Sequence, residues 1–236
     1  MTQHSKARSN VATMFNQIAP KYDLLNHLLS WGIDKRWRKK TIDKLIDSGA
    51  LSILDVATGT GDLAIAAAKR NSKFKITGVD ISAGMLEAGR VKVVNEGLAS
   101  NIVLLEADSL NLPFDDHQFE ATMVAFGVRN FEQTVNGLSE MFRVTTPGGI
   151  ILVLEFSKPD RWFMPLYGIY SKVIMPLIGR IVSKHSTAYT YLPETALAFA
   201  QGGEFCDLLV KAGYSKPTFT RFTFGIATLY TAVKEQ

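Results

Sequence analysis

The stretch Leu54-Asp55-Val56-Ala57-Thr58-Gly59-Thr60-Gly61-Asp62 decides the fold of this chain. It joins a short apolar run, residues 51–57, to a helical pattern over residues 62–70. Glycines placed directly after a first strand let the backbone approach a ligand closely. The spacing G-x-G-x-x-A also fits the dinucleotide-binding fingerprint, a match that is weak on its own. The turn therefore predicts a nucleotide-containing ligand at one edge of an α/β sheet.

Beyond this stretch, short apolar segments alternate with helical patterns. Strands are predicted at residues 74–79, 101–107, 119–126 and 149–156, with helices at 83–97 and 132–144. Strands of parallel sheets are buried on both faces, so they are nearly unbroken apolar runs. A helix at 192–212 and two final strands, at 217–224 and 225–233, complete the pattern. It predicts an α/β fold with a doubly wound, mostly parallel seven-stranded sheet and an antiparallel C-terminal hairpin.

Two segments depart from this alternation. Residues 1–50 are predicted to form a helical segment that faces substrate and membrane, with helices at 6–18, 22–30 and 34–48. Asp34 is the predicted N-cap of the third helix, and Gly49 follows its end. Within the main domain, residues 51–236, an aromatic helical insert is predicted at about residues 157–192.

Composition excludes several classes of protein. The 236 residues are 47% hydrophobic and 20% charged, which is typical of a globular domain rather than a disordered or collagen-like chain. No apolar run approaches the ~20 residues that span a bilayer. Residues 1–10 lack the apolar core of a signal peptide. The single cysteine, Cys206, cannot form an internal disulfide, and together these features predict a cytoplasmic location.

Charge is distributed unevenly along the chain. Residues 1–50 carry nine basic and four acidic side chains, a net charge of +5, and residues 161–236 carry +4. Residues 51–160 carry nine basic and fourteen acidic side chains, a net charge of −5. A uniformly basic chain would suggest nucleic acid, which this pattern does not. It indicates a centre that meets a cation and flanks that meet an anionic partner.

Carboxylates recur where three predicted strands end. Asp55 lies inside the first strand, Asp80 ends the second 19 residues after Gly61, and Asp108-Ser109 closes the third. A carboxylate at Asp80 can accept both hydroxyls of a ribose. Asp55 can reach an ammonium, and a sulfonium suits an acidic centre, so the set predicts S-adenosylmethionine. A nicotinamide-dependent dehydrogenase is the alternative, but it leaves Asp55 unexplained and would need a separate substrate domain.

Motifs along almost the whole chain resemble those of the menaquinone/ubiquinone C-methyltransferase family, which methylates polyprenylated quinols. The resemblance rests on Phe15–Asp23, on Phe126-Gly127-Val128-Arg129-Asn130 and most specifically on Glu155-Phe156-Ser157-Lys158-Pro159. It implies a Rossmann-like class I S-adenosylmethionine-dependent methyltransferase. Carried over to this chain, the expected cofactor-binding residues are Asp55, Gly59, Thr60, Gly61, Asp80, Asp108 and Ser109. The chain departs from the family at Thr58, where relatives often have Gly, and at Ala125, where some have Ser.

The expected reaction is methylation of a quinol ring carbon. Demethylmenaquinol is the predicted substrate, and a polyprenyl methoxy-benzoquinol is the alternative. A ring carbon becomes nucleophilic when a phenolic proton leaves, so the site must stabilise a phenolate or remove its proton. Arg129 is the predicted oxyanion stabiliser or water holder, with Asn130 orienting the same group. Glu155 is predicted to act as a base or as the partner of Arg129.

The predicted substrate-side residues are Tyr22, Asn26 and Ser157, and the reaction needs no metal. The run 35–40, Lys-Arg-Trp-Arg-Lys-Lys, is interpreted either as a solvated helix face or as a surface for anionic lipid headgroups. Residues 161–191 are predicted to form an apolar lid or an ordinary helical cover. The second interpretation of the run predicts a cytoplasmic protein loosely associated with the inner face of the membrane. The sequence leaves open whether the protein forms a homo-oligomer.

Overall fold

The computed structural model describes Thr13, Asn16 and residues 30–171 and 195–236. Most of the helices predicted at 6–18 and 22–30 lies outside the described residues, and so do Tyr22 and Asn26. The second half of the aromatic insert and the start of the helix predicted at 192–212 lie outside them as well.

Helices and strands alternate over the first part of the described chain, up to residue 106. The helices are α1 Ile33–Asp47, α2 Asp62–Arg70, α3 Ala83–Asn95, α4 Thr134–Val144, α5 Met164–Ile169 and α6 Gly203–Lys211. The strands are β1 Ser52–Val56, β2 Lys75–Asp80, β3 Ile102–Glu106, β4 Phe119–Ala125, β5 Thr145–Phe156, β6 Ser215–Phe222 and β7 Ala227–Val233. A 3₁₀ turn, Val128–Asn130, lies between β4 and α4.

The strands form one seven-stranded sheet in the order β3-β2-β1-β4-β5-β7-β6. The first five are parallel, and β7 pairs antiparallel with both β5 and β6. The predicted sheet and its C-terminal hairpin are therefore confirmed. In parallel order, the carboxyl ends of β1 to β5 share one edge, where open α/β sheets bind ligands.

Apolar layers cover both faces of the sheet. Side chains of a strand point alternately to opposite faces, so Ile53 and Leu54 of β1 enter different cores. Ile53 packs among residues of α1, α2 and α3, including Ile42 and Leu63. Leu54 packs with residues of α4 and α6, including Phe205. Asp55 shares the face of Ile53, so its carboxyl group lies on the side of α1 and α2.

Two helix predictions differ from the structure: one has a different N-cap, and the other helix is interrupted. Gly32, with φ 72°, is the residue that precedes α1, because the chain enters the helix through a left-handed conformation that glycine adopts at little cost. Asp34 lies in the first turn instead and accepts hydrogen bonds from Ser30 and Arg38. The helix predicted at 192–212 is interrupted: helical residues end at 198, and α6 begins only after Gly202, with φ 59°.

Strand β5 is longer than predicted. It begins at Thr145 rather than at residue 149, and its register with β4 shifts between Phe119 and Ala121. Gly148, with φ 80°, lies in this irregular stretch. The sequence Pro147-Gly148-Gly149 lies there, and Pro and Gly are both unfavourable inside a regular strand. A bulge accommodates them without ending the strand.

Candidate active site

The glycine-rich turn after β1 is held in a fixed shape by backbone hydrogen bonds. The N–H of Thr58 donates to the carbonyl of Val79 at 2.9 Å, and the N–H of Gly61 donates to the carbonyl of Thr58 at 2.9 Å. Gly59 and Gly61 have φ values of 58° and 77°, which explains why the turn needs glycine at both positions. A Cβ at Gly59 would meet no atom within 4 Å, so the backbone is open to a ligand there.

Asp80 connects this turn to the start of α3. One carboxylate oxygen accepts the N–H of Gly59 at 2.8 Å, and the other accepts the N–H of Ser82 at 2.9 Å. Burial raises the pKa of Asp80, and these backbone donors oppose the rise. The backbone N–H of Ile81 also hydrogen-bonds this carboxylate, so three of its four acceptor sites are occupied and one is left for a ligand.

Asp55 is a buried acid beside the turn. The hydroxyl of Thr58 donates to its carboxylate at 2.7 Å. Burial raises the pKa of Asp55 to about 7, the hydrogen bond from Thr58 and the charge of Arg38 oppose the rise, and the charge of Asp80 adds to it. A carboxyl group with that pKa is poised to become an anion when a cation arrives.

A pocket opens above the turn and is lined by Asp55, residues 57–60, Asp62, Leu63, Arg38, Ala125 and Phe126. Ala57 and Phe126, which follow the neighbouring strands β1 and β4, have φ values of 53° and 59°. A Cβ at Gly127 would lie 2.6 Å from the Cβ of Ala57, so the two loops are in close contact. Unfavourable backbone conformations of this kind concentrate at ligand sites.

Among the other predicted cofactor-binding residues, Thr60 lines this pocket, whereas Asp80, Asp108 and Ser109 do not. The N–H of Ala107 donates to the carbonyl of Asp80 at 3.1 Å, so the Asp108-Ser109 pair follows directly beside the end of β2. Asp108 is half-buried and accepts the N–H of Leu110 at 3.0 Å. Thr60 is buried, and its hydroxyl accepts a hydrogen bond from Lys92 of α3 at 3.2 Å.

Arg129 and Glu155 form a buried ion pair at the ends of β4 and β5. Their side chains are 4% and 2% exposed, and Nη1 of Arg129 lies 2.5 Å from Oε1 of Glu155. The same nitrogen donates to the carbonyl of Phe126 at 2.5 Å, which connects the pair to a pocket-lining residue. Nε of Arg129 is buried without a hydrogen-bond partner. In this arrangement Glu155 is the partner of Arg129, which is one of the two predicted roles.

Asn130 and Ser157 occupy the same edge of the sheet. The N–H of Asn130 donates to the carbonyl of Gly127 and closes the 3₁₀ turn. The buried hydroxyl of Ser157 contacts the carbonyl of Gly225 at 2.6 Å and the hydroxyl of Thr228 at 2.7 Å. These bonds attach the end of β5 to the C-terminal hairpin.

Two residues that line the pocket, Thr58 and Arg38, are not predicted as site residues from the sequence. Thr58, noted only as a departure from glycine, donates to Asp55. Arg38 was assigned to a basic surface, yet Arg38 and the adjacent Trp37 are buried. A run of basic residues predicts a solvent-exposed surface, so the burial of one member is not apparent from the sequence. The available signal was the i, i+4 spacing of Asp34 and Arg38, which pairs the two on one helix face.

Within residues 30–171 and 195–236, His, Cys, Asp and Glu side chains do not gather in groups of three or more that could hold a metal ion. In the same ranges, every helix is too short or too polar to cross a bilayer.

Comparison with solved structures shows the fold. The [4+2]-cyclase SpnF superimposes with a TM-score of 0.73 at 17% identity, covering 97% of each chain. A S-adenosylmethionine-dependent methyltransferase of Thermotoga maritima, described as a possible histamine N-methyltransferase, gives a TM-score of 0.66 at 16% identity over 94% of this chain and 99% of that one. The predicted class I methyltransferase fold is confirmed.

Comparison with sequences shows the family. A model described as the ubiE/COQ5 methyltransferase family matches residues 1–234. Demethylmenaquinone methyltransferase of Bacteroides fragilis is 47% identical over 230 residues, 97% of this chain and 94% of that protein. The protein of the same name in Thermus thermophilus is 41% identical over 92% of this chain and 98% of its own length. Ubiquinone/menaquinone biosynthesis C-methyltransferase of Geobacter sulfurreducens is 42% identical over 95% of this chain and 88% of its own length. These matches favour the methyltransferase interpretation over the dehydrogenase, and the chain belongs to the ubiE/COQ5 methyltransferase family.

Proposed function

We propose that this protein transfers a methyl group from S-adenosylmethionine to a ring carbon of demethylmenaquinol, which gives menaquinol and completes menaquinone biosynthesis. The observation that carries the proposal is the similarity over nearly the full length to proteins named demethylmenaquinone methyltransferase. The pocket at the edge of the sheet supplies the chemistry that such a reaction needs.

The residues around the glycine-rich turn suit S-adenosylmethionine. The buried carboxyl of Asp55 suits its ammonium, and the carboxylate of Asp80, which lies beside the turn at the end of β2, suits the hydroxyls of its ribose. The remaining proposed contacts come from Gly59, Gly61, Thr60, Asp108 and Ser109. When bound there, S-adenosylmethionine supplies a methyl group carried on a sulfonium.

Arg129 is the proposed group that promotes the nucleophilicity of the quinol ring. A guanidinium stays protonated at any ordinary pH, so it stabilises a phenolate oxygen instead of removing the proton itself. Its buried Nε has no hydrogen-bond partner, and its N–H can donate to a phenolate oxygen or to a water molecule. Glu155 holds the guanidinium in position through the 2.5 Å ion pair.

Four further residues complete the proposed substrate side. Asn130 is proposed to orient the phenolate oxygen from the 3₁₀ turn, and Tyr22 and Asn26, which lie outside the described residues, are proposed to contact the substrate. Ser157 supports this side by attaching β5 to the hairpin through Gly225 and Thr228.

The protein is proposed to be cytoplasmic and to collect its lipophilic quinol at the inner face of the membrane. The exposed side chains Lys35, Arg36, Lys39 and Lys40 form one basic face of α1. Trp37 of the same helix donates to Thr223 at 2.9 Å, and the next residue, Phe224, packs its ring 4.9 Å from that of Trp162. Trp162 is 68% exposed, so an aromatic surface adjoins the basic one. Basic and aromatic side chains together suit an anionic lipid interface.

The test of the substrate is quinone profiling of cells that lack this protein. We expect demethylmenaquinone to accumulate and menaquinone to disappear, and the wild-type chain to restore menaquinone. Purified protein should transfer label from S-adenosylmethionine to demethylmenaquinol. Accumulation of an unmethylated benzoquinone precursor with normal menaquinone would replace this substrate with the ubiquinone precursor. Failure to label either quinol would remove the proposed activity.

A further inference from the structure

We propose that Arg38 binds the carboxylate of the amino-acid end of S-adenosylmethionine, in the pocket that it lines together with the ammonium-binding Asp55. This inference rests on the proposed placement of S-adenosylmethionine in the pocket above the glycine-rich turn. It adds to the site a residue from α1, outside the sheet and its loops.

The position of Arg38 is the first argument. The residue lies on the buried face of α1 and lines the same pocket as Asp55, Thr58 and Gly59. Its side chain is only 9% exposed. The Arg38 guanidinium lies over the ring of Phe126, 5.8 Å from the ring centroid, so the pocket wall fixes its orientation. A cation is therefore held at the wall of a site whose other walls are acidic or apolar.

The ion pairs of Arg38 leave its Nε for a ligand. Nη1 lies 2.5 Å from Asp34 and 3.3 Å from Asp62. Nε is buried without a hydrogen-bond partner. A buried N–H without a partner is unfavourable, and a carboxylate that enters the pocket would supply the missing acceptor.

The two acids that pair with Arg38 have other donors as well. Asp34 also accepts the hydroxyl of Ser30, and Asp62 also pairs with Lys92. Neither acid therefore depends on Arg38 alone for a partner. A pocket that is lined by both acidic and basic side chains suits a zwitterion, which brings one charge of each sign.

Arg38 and Asp55 together match the amino-acid end of S-adenosylmethionine. The charge of Arg38 lowers the pKa of Asp55, so the two groups that line this pocket interact. An α-amino acid carries its ammonium and carboxylate on one carbon, and a pocket lined by both a carboxyl group and a guanidinium can bind both. A guanidinium suits a planar carboxylate better than a lysine would.

The test compares two ligands that differ only in this carboxylate: S-adenosylmethionine and decarboxylated S-adenosylmethionine. Dissociation constants are measured by calorimetry for the wild type, for Arg38→Met and for the matched control Arg36→Met on the exposed face of α1. The wild type and Arg36→Met should bind the complete ligand 10- to 100-fold more tightly than the decarboxylated one. Arg38→Met should bind both within about threefold of each other.

A second variant protects the result against misfolding. Arg38→Met leaves Asp34 without its cation, so the double variant Asp34→Asn/Arg38→Met removes both charges and should show the same loss of discrimination. If Arg38→Met and the double variant keep the wild-type ratio between the ligands, Arg38 only joins α1 to α2 and the inference is overturned. If the wild type binds neither ligand, the proposed cofactor placement fails, and the inference fails with it.

Discussion

Among single residues, Asp55 has the clearest electrostatic signature. Burial raises its pKa from 3.8 to about 7. Between these two values the folded chain holds a proton that the unfolded chain has lost. The folded state therefore becomes less stable as the pH rises through this window, and the destabilisation is complete above about pH 7. A cationic ligand that binds beside Asp55 would stabilise its ionised form.

Replacing Asp55 with Asn should stabilise the unliganded protein. The amide keeps an oxygen for the Thr58 hydroxyl and carries no charge to bury. Three pKa units correspond to a gain of up to about 4 kcal/mol at pH 8, and the gain should shrink by about 2 kcal/mol at pH 5. Urea unfolding at pH 5, 6, 7 and 8 measures the difference. A gain that is the same at all four values would contradict a titrating Asp55.

Arg129 should affect turnover more than cofactor binding. Arg129→Lys keeps a positive charge opposite Glu155 but loses the planar donor set, so kcat should fall about 10²–10³-fold. The dissociation constant for S-adenosylmethionine should stay within about threefold of the wild-type value. Single-turnover kinetics and calorimetry separate the two quantities. Weakened cofactor binding with normal turnover at saturation would make Arg129 a cofactor-binding residue instead.

At the scale of elements, the sequence predicts the sheet well and the inward face of α1 poorly. Strands β1 to β5 are found because apolar runs and turn signals are local features. The burial of Arg38 depends on Asp62, 24 residues later, which only the packing of α1 on α2 brings near. The interruption at Gly202 depends likewise on a distant group, since its N–H donates to the hydroxyl of Tyr230 at 2.8 Å.

The sequence also predicts some features of the candidate site and not others. The carboxylates at strand ends could be predicted, because the ends of parallel strands must meet at one edge. The pairing of Arg129 with Glu155 remained one of two alternatives, since the lateral distance between β4 and β5 side chains is not encoded in spacing. The contact of Thr58 with Asp55 follows from the left-handed turn, which a sequence pattern does not specify.

The exposed basic face of α1 should drive salt-sensitive attachment to membranes. Changing Lys35, Arg36, Lys39 and Lys40 to Gln should reduce binding to anionic vesicles at least tenfold, since each basic residue near such a surface contributes about 1 kcal/mol. Raising the salt concentration should weaken wild-type binding, because the attraction is screened. Arg38 is excluded from the set because it is buried in an ion pair. Vesicle sedimentation at several salt concentrations measures both effects.

The matched control removes the same charge from other exposed sites: Lys73, Lys75, Lys211 and Lys216 to Gln. We expect this variant to bind vesicles nearly as the wild type does. Activity on a membrane-embedded quinol should fall only in the α1 variant, and activity on a short-chain quinol should survive in both. If both variants lose vesicle binding and activity to the same extent, net charge alone explains the effect, and α1 has no docking role.

At the scale of the whole molecule, the proposed cofactor site joins β1, β2, α2, α3 and α1, so its occupancy should stabilise the entire fold. Binding to the folded state alone adds about 2.7 kcal/mol at a ligand concentration of 100 Kd. For a chain of 236 residues, that raises Tm by roughly 5–10 °C. S-adenosylhomocysteine is the suitable probe because it carries no transferable methyl group.

Asp80→Asn keeps an acceptor for one backbone N–H but loses the charge toward the ribose, so the same ligand concentration should raise its Tm by less than half as much. Scanning calorimetry with and without ligand measures both shifts, and the unliganded Tm of the variant shows whether the fold itself has suffered. An equal ligand-induced shift in the two proteins would place the ribose away from Asp80 and move the nucleoside to another part of the sheet edge.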